Sequence, residues 1–147
     1  VELSHEDNLS MIARYSSKPV EDVVEYLRRD TANQAIANTD NHGRNTSFIK
    51  RHNEVRLSPV YDVTAMKYFE GDFIIPLTRW HEDHSTVATR IGWIEKELDM
   101  RVLTEMKDFK SRMLKLESLL KKHEVPEELI SRSKQDREDI LAQLKEV

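Results

Sequence analysis

The sequence predicts a mainly α-helical fold of the α+β class, with one or two small β-hairpins. Apolar residues recur at steps of three or four along most of the chain, whereas β-rich stretches are confined to residues 46–75. The chain has 3 Gly and 4 Pro among 147 residues, against a typical glycine share of about 7%, so tight turns are few. A hydrophobic fraction of 38% is enough for one modest core.

The N-terminal part of the chain predicts two helices. Residues 3–15 place apolar positions behind Glu6 and Asp7, and acidic residues favour a helix N-terminus. A second helix begins at Pro19, a residue favoured in the first helical turn, and its apolar spacing continues to about Asn38.

The middle of the chain predicts the hairpins. Residues 46–50 and 55–60 are β-rich, and the polar residues between them supply a turn. A second hairpin is predicted across residues 68–75, with Gly71 in its turn.

The C-terminal part predicts two more helices. Steps of three or four residues between apolar positions run from Ile91 to Leu120, which predicts one continuous helix of about eight turns. Pro126 interrupts the chain and a last helix follows. Because residues 131–139 are wholly polar, this last helix is expected to be exposed and to pack by its two ends.

Composition excludes several kinds of site. The absence of cysteine removes disulfides, thiolate zinc sites and cysteine nucleophiles, and the three glycines lie too far apart for a glycine-rich phosphate loop. The net charge of -4, without a basic stripe, argues against direct binding of nucleic acid. No signal peptide or long apolar run occurs, so we expect a cytoplasmic protein that does not enter a membrane.

The densest chemistry lies in the loop of residues 38–45, after the second helix. Its Asn, Asp and Gly residues are equally typical of a helix end followed by a turn. However, a hairpin returns its far end to its start, so Asp62 is expected to approach Asp40 and Asn45. Two carboxylates and an amide oxygen suit Mg²⁺. Asp40 and Asn45 also have the D-x-x-x-x-N spacing of a kinase catalytic loop.

A compound motif carries a family resemblance. Residues 38–48 read N-T-D-N-H-G-R-N-T-S-F and residues 57–63 read L-S-P-V-Y-D-V. This resembles the HipA-like serine/threonine kinases, which carry N-x-D-x-H-x-K-N-x-S followed by L-x-P-x-Y-D. The resemblance implies that residues 1–125 form the helical C-terminal lobe of a protein-kinase-like fold and that residues 126–147 extend the same lobe.

The resemblance also implies roles for individual residues. Asp40 corresponds to the catalytic base and His42 to the loop histidine beside it. Asn45 and Asp62 correspond to the ligands of Mg²⁺, the ion that accompanies ATP. Arg44 stands where a lysine is usual, which keeps a positive charge beside the cofactor but replaces a compact ammonium by a planar guanidinium.

The resemblance further implies partners. A protein substrate, such as a translation component, and a DNA-binding antitoxin are expected, since many relatives are toxins of toxin–antitoxin pairs. No glycine-rich loop or ATP-anchoring lysine precedes Asp40, so an N-terminal kinase lobe is expected to be missing from this chain. Two alternatives stay open on the residues themselves: a metal-dependent nuclease or phosphohydrolase, and a non-catalytic helical interaction module.

A second polar segment contains His81 and His84. Their spacing can place two imidazoles on one metal ion, but the segment does not match the HExxH zinc signature. A surface loop is the favoured interpretation. Trp80 and Trp93, on either side of this segment, are expected to pack in the core or between lobes.

Overall fold

A computed structural model describes residues 3–39, 43–65, 67 and 78–147. Within them the chain is mainly helical, with one two-stranded antiparallel sheet, so the predicted fold class is confirmed. The second hairpin expected at residues 68–75 lies outside the described residues. The helices and strands, in chain order, are α1 (His5–Tyr15), α2 (Pro19–Ala35), β1 (Phe48–Arg51), β2 (Glu54–Leu57), α3 (Val87–Glu97), α4 (Leu103–Met113), α5 (Leu116–Lys122), α6 (Glu127–Arg132) and α7 (Lys134–Lys145).

Helices α1 and α2 form where the sequence predicts them. The Ser4 hydroxyl accepts a hydrogen bond from the Asp7 backbone N–H at 3.0 Å, and the Asp7 carboxylate accepts one from the Ser4 backbone N–H at 2.9 Å. This reciprocal capping box satisfies two backbone donors that a helix start leaves open. Pro19 lies in the first turn of α2, and the two helices pack through the fully buried Leu9 and Leu27.

The hairpin is fixed to α2 by one buried carboxylate. Asp22 accepts hydrogen bonds from the Arg56 guanidinium, the shortest at 2.8 Å, and from the Leu57 backbone N–H at 3.0 Å. Burial raises the pKa of the Asp22 carboxyl, but these bonds and one from Ser16 outweigh it and hold the pKa below its ordinary value. Asp22 therefore stays ionised at neutral pH and holds β2 against the helix.

The prediction of one continuous helix from Ile91 to Leu120 is wrong, because the segment forms α3, α4 and α5. After α3 the backbone of Asp99 takes a φ of 52°, in the left-handed region, which ends the helix. The Glu95 carboxylate then accepts hydrogen bonds from the backbone N–H groups of Val102 and Leu103, at 3.2 and 3.3 Å, where α4 begins. The break lets the fully buried Val102 reach the core.

The prediction of an exposed C-terminal helix is also wrong. Residues after Pro126 form α6 and α7, and α7 packs against α2, α3 and α4. The side chain of Arg137 is only 4% exposed; it donates hydrogen bonds to the Ser133 hydroxyl at 2.6 Å and to Glu117 at 3.3 Å. Within this polar stretch, Ser133 and Arg137 are buried, and Arg137 is satisfied by partners on α5 and at the junction with α6. The division of the lobe at residue 125 stays a prediction.

One hydrophobic core joins these helices. Trp80 and Trp93 pack against it, as expected from the sequence. The fully buried members of this core that contribute most volume are Leu9, Ile12, Leu27, Ile94, Met106, Leu144, Val23, Val87 and Val102.

None of the helices in the described ranges is long and apolar enough to cross a membrane.

Candidate functional site

The two predicted metal ligands, Asn45 and Asp62, line the same small cavity. Asn45 ends a short 3-10 helix, Gly43–Asn45, just before β1, and Asp62 follows the end of β2. The antiparallel pairing of Phe48 with Leu57 returns the chain to its starting point, as expected from the sequence. The half-buried amide of Asn45 and the exposed carboxylate of Asp62 therefore line the same cavity.

Hydrogen bonds just outside β1 and β2 fix the part of the chain that carries Asp62. The Ser58 backbone N–H donates to the Ser47 carbonyl at 2.8 Å, and the Ser47 hydroxyl donates to the Ser58 hydroxyl at 3.1 Å. The Tyr61 hydroxyl donates to the Ser47 hydroxyl oxygen at 3.3 Å. Asp62 then takes a φ of 55°, a left-handed conformation that Asp adopts more readily than most residues. These contacts turn Asp62 back toward Asn45.

The near side of the cavity is formed by the C-terminal end of α2. Ala37 has a φ of 59°, which stops the helix. Asn38 is buried; its backbone N–H donates to the Asn33 carbonyl at 2.8 Å and its side-chain amide donates to the Asn33 side-chain oxygen at 3.0 Å. The Lys67 backbone N–H donates to the Ala37 carbonyl at 3.2 Å. The chain is therefore fixed two residues before Asp40.

The remaining predicted site residues fall where the structure gives no description. Asp40 and His42 lie outside the described residues, as does the side chain of Arg44. Their predicted roles, as base, loop histidine and cofactor contact, stay predictions. The described part of the site consists of Asn45 and Asp62.

A buried charge network behind the cavity was not predicted from the sequence. Its centre is Asp30, which is 2% exposed and lines the same cavity as Asn45 and Asp62. The Trp80 indole N–H donates to Asp30 at 2.8 Å, and Arg90 and His5 lie 3.5 and 3.4 Å from its oxygens. The Arg90 guanidinium also lies over the Trp80 ring, 4.9 Å from its centroid. The residues of this charge network are far apart in the sequence, so no local sequence pattern predicts it.

Burial sets the protonation of the network. Desolvation lowers the pKa of His5, and the nearby Arg90 charge lowers it further, although Asp30 opposes both. Burial also raises the pKa of Tyr26, whose hydroxyl lies 2.9 Å from His5 Nδ1 and accepts a hydrogen bond from Asn8. A neutral His5 and a protonated Tyr26 follow at neutral pH, so Arg90 is the cation that faces Asp30.

A larger cleft of about 540 Å³ adjoins Asp30. Its lining includes Thr39, immediately before Asp40, together with Lys67, Arg90 and Asp136. Asp30 and Asn38 thus line both this open cleft and the small cavity of Asn45 and Asp62. The oxygen atoms of the Asn45 amide and the Asp62 carboxylate can hold a hard divalent cation that keeps several of its waters.

Comparison of the sequence with known proteins identifies the family of the chain. A search of curated proteins found no match to the chain. A family model, the HipA-like C-terminal domain, matches residues 2–139. That range includes α1, α2, the hairpin and both described cavity ligands, and it extends into α7. The chain therefore belongs to the family of HipA-like C-terminal domains.

Proposed function

We propose that the chain is the C-terminal catalytic lobe of a HipA-like serine/threonine protein kinase. The observation that carries the proposal is the shared cavity of Asn45 and Asp62, which occupy the two positions assigned to metal ligands by the family motif. The hairpin between them supports the proposal because it fixes both residues on one side of the lobe. The finer assignment, transfer of the ATP γ-phosphate to a protein serine or threonine, rests on the motif.

Each motif residue has a chemical task in this proposal. Asp40 accepts the proton of the attacking serine or threonine hydroxyl, and Asn45 and Asp62 offer an amide oxygen and a carboxylate to Mg²⁺. Magnesium, when bound, neutralises charge on the transferring phosphate. Arg44 supplies a positive charge beside the same phosphates, and His42 lies next to the base in sequence.

The proposed partners follow from the same family. We propose that the protein is a cytoplasmic toxin. Its partners would be a protein substrate, such as a translation component, and a DNA-binding antitoxin. In this proposal an N-terminal lobe binds most of the ATP, because no glycine-rich loop precedes Asp40 in this chain. The charge of -4 supports a protein partner over direct nucleic-acid binding.

The experiment compares phosphoryl transfer by two forms of the protein. The 147-residue chain alone should transfer no phosphate, whereas the chain joined to the N-terminal lobe of a HipA-like kinase should label itself or a protein substrate from radiolabelled ATP. Transfer depends on positioning the phosphates, and the groups that clamp them from the other lobe are absent from the isolated chain.

The same assay separates the alternatives. Release of inorganic phosphate, or cleavage of a phosphodiester, without protein labelling would favour the phosphohydrolase or nuclease. Absence of any turnover by the joined form, at every Mg²⁺ concentration, would favour the interaction module. Robust transfer by the isolated chain would show that the catalytic centre has been misplaced.

A further inference from the structure

A second cluster of potential metal ligands lies where the segment before α3 crosses the start of α1. Glu6 belongs to the first turn of α1, whereas His81 precedes and His84 ends a short 3-10 helix, Glu82–His84. One ligand atom from each side chain lies within 4.8 Å of the other two. The sequence favoured a surface loop here, but His84 is only 19% exposed and packs near Trp93.

Local geometry brings the two histidines together. Residues three apart lie almost above one another along a 3-10 helix, since it has three residues per turn. His81 directly precedes this helix and His84 ends it, and their ring centroids are 6.2 Å apart. Arg90 holds the segment in place by donating to the carbonyls of His84 and Ser85, each at 3.0 Å.

The Glu6 carboxylate gives an independent indication of a ligand. Its side chain is 5% exposed, and its Oε1 accepts a hydrogen bond from the His81 backbone N–H at 3.0 Å and lies 2.6 Å from His84 Nδ1. Its Oε2 is also buried and has no hydrogen-bond partner in the part of the chain that the structure describes. Buried carboxylate oxygens are normally paired, so the unpaired Oε2 is available to an ion or a water.

The three side chains, Glu6, His81 and His84, favour a particular type of metal ion. Two imidazoles and one carboxylate are ligands of zinc sites that leave a fourth position open to water. Magnesium prefers oxygen ligands alone, so it fits this cluster less well than the cavity of Asn45 and Asp62. His81 is 66% exposed, which gives an ion a path from solvent.

The distances require only a small adjustment. Tetrahedral bonds of about 2.0–2.1 Å place ligand atoms roughly 3.4 Å apart. The 3.8 Å between His81 Nδ1 and Glu6 Oε1 is close to that value, while His84 Nδ1 must withdraw by less than an ångström from its present hydrogen bond. When an ion replaces the hydrogen bond between His84 and Glu6 Oε1, the unpaired Glu6 Oε2 can also serve as a ligand.

We propose that Glu6, His81 and His84 form a binding site for a divalent transition-metal ion of the zinc type, with one coordination position left to water. The ion would join α1 to the segment that leads into α3. This site is separate in its ligands from the proposed magnesium site and does not depend on the kinase assignment.

The test is a calorimetric titration of the 147-residue chain with ZnCl₂, backed by the visible absorption of bound Co²⁺. Wild type should bind one ion per chain at this cluster with micromolar or tighter affinity. His81→Ala should weaken zinc binding at least tenfold and abolish the tetrahedral Co²⁺ spectrum. Since His81 is mostly exposed, this variant should keep its fold. Glu6→Gln should show the same loss, with circular dichroism reporting whether it folds.

Two control variants decide where the ion binds. His123→Ala removes an exposed histidine outside the cluster and should bind zinc as wild type does. Asp62→Ala should also keep zinc binding, because it alters only the proposed magnesium site. Equal zinc affinity in His81→Ala and His123→Ala, or no zinc binding by the wild type, would overturn the proposal.

Discussion

Replacing Asp40 by alanine should abolish phosphoryl transfer by the complete two-lobed kinase. A positioned general base contributes about 10²- to 10⁴-fold to a rate, so kcat should fall by at least that factor while ATP binding persists. Asp62→Ala should have a different effect, because it removes a metal ligand. Transfer and metal-dependent nucleotide affinity should then be lost together.

The measurement is the rate of protein labelling from radiolabelled ATP, with nucleotide affinity measured separately at fixed Mg²⁺. The matched control is Asp108→Ala, which removes an exposed carboxylate on α4 and should leave both quantities unchanged. Full activity in the Asp40→Ala enzyme would mean that another residue serves as base.

Removal of the Asp30 carboxylate should cause the largest loss of stability. In Asp30→Ala the Arg90 guanidinium, itself 5% exposed on its side chain, keeps its charge without the buried carboxylate that faces it. The Trp80 indole N–H loses its acceptor as well. Breaking a buried ion pair by removing one partner typically costs about 3–5 kcal/mol, so the free energy of unfolding should fall by that amount.

Urea denaturation of wild type, Asp30→Ala and Asp108→Ala checks this expectation. The exposed Asp108 should change the free energy of unfolding by no more than about 0.5 kcal/mol. The Asp30→Ala, Arg90→Met double variant should lose less than the sum of the two single variants, because the uncompensated charge is then absent. An Asp30→Ala protein as stable as the control would show that the network contributes little.

Local patterns predicted the elements that local chemistry determines. Pro19 marked the start of α2, and β-rich residues on either side of a polar turn predicted β1 and β2. The hairpin in turn predicted that Asp62 returns to Asn45, and both line one cavity. In these cases the deciding interactions lie within about twenty residues of each other, within reach of turn and spacing rules.

The rest depended on contacts between distant parts of the chain. Apolar spacing through Leu98 and Val102 is the same for one long helix as for two shorter ones, and the break is set by the backbone at Asp99 and by capping from Glu95. Likewise, nothing local reveals that Arg137 is buried, because its partner Glu117 lies on another helix. Periodicity reports which face is apolar, not where a helix stops.

The same limit applies to the candidate sites. Asp30 looks like an ordinary polar residue on α2 until Trp80 and Arg90, fifty and sixty residues later, are folded onto it. Glu6 resembled a simple favourable charge at a helix start, and the structure adds His84 from seventy-eight residues away. Motifs identify residues that act within one loop, whereas these networks require the tertiary fold.

The most direct measurement of the central claim is paramagnetic broadening by Mn²⁺, which favours the same carboxylate and oxygen ligands as Mg²⁺. It is recorded on the ¹⁵N-labelled chain carrying His81→Ala, which disables the second cluster, and weak binding suffices because exchange is fast. Backbone signals of Asn45 and Asp62 should broaden first, and adding Asp62→Ala should remove the effect. Unchanged signals at Asn45 and Asp62, with broadening only elsewhere, would contradict a metal site in this cavity.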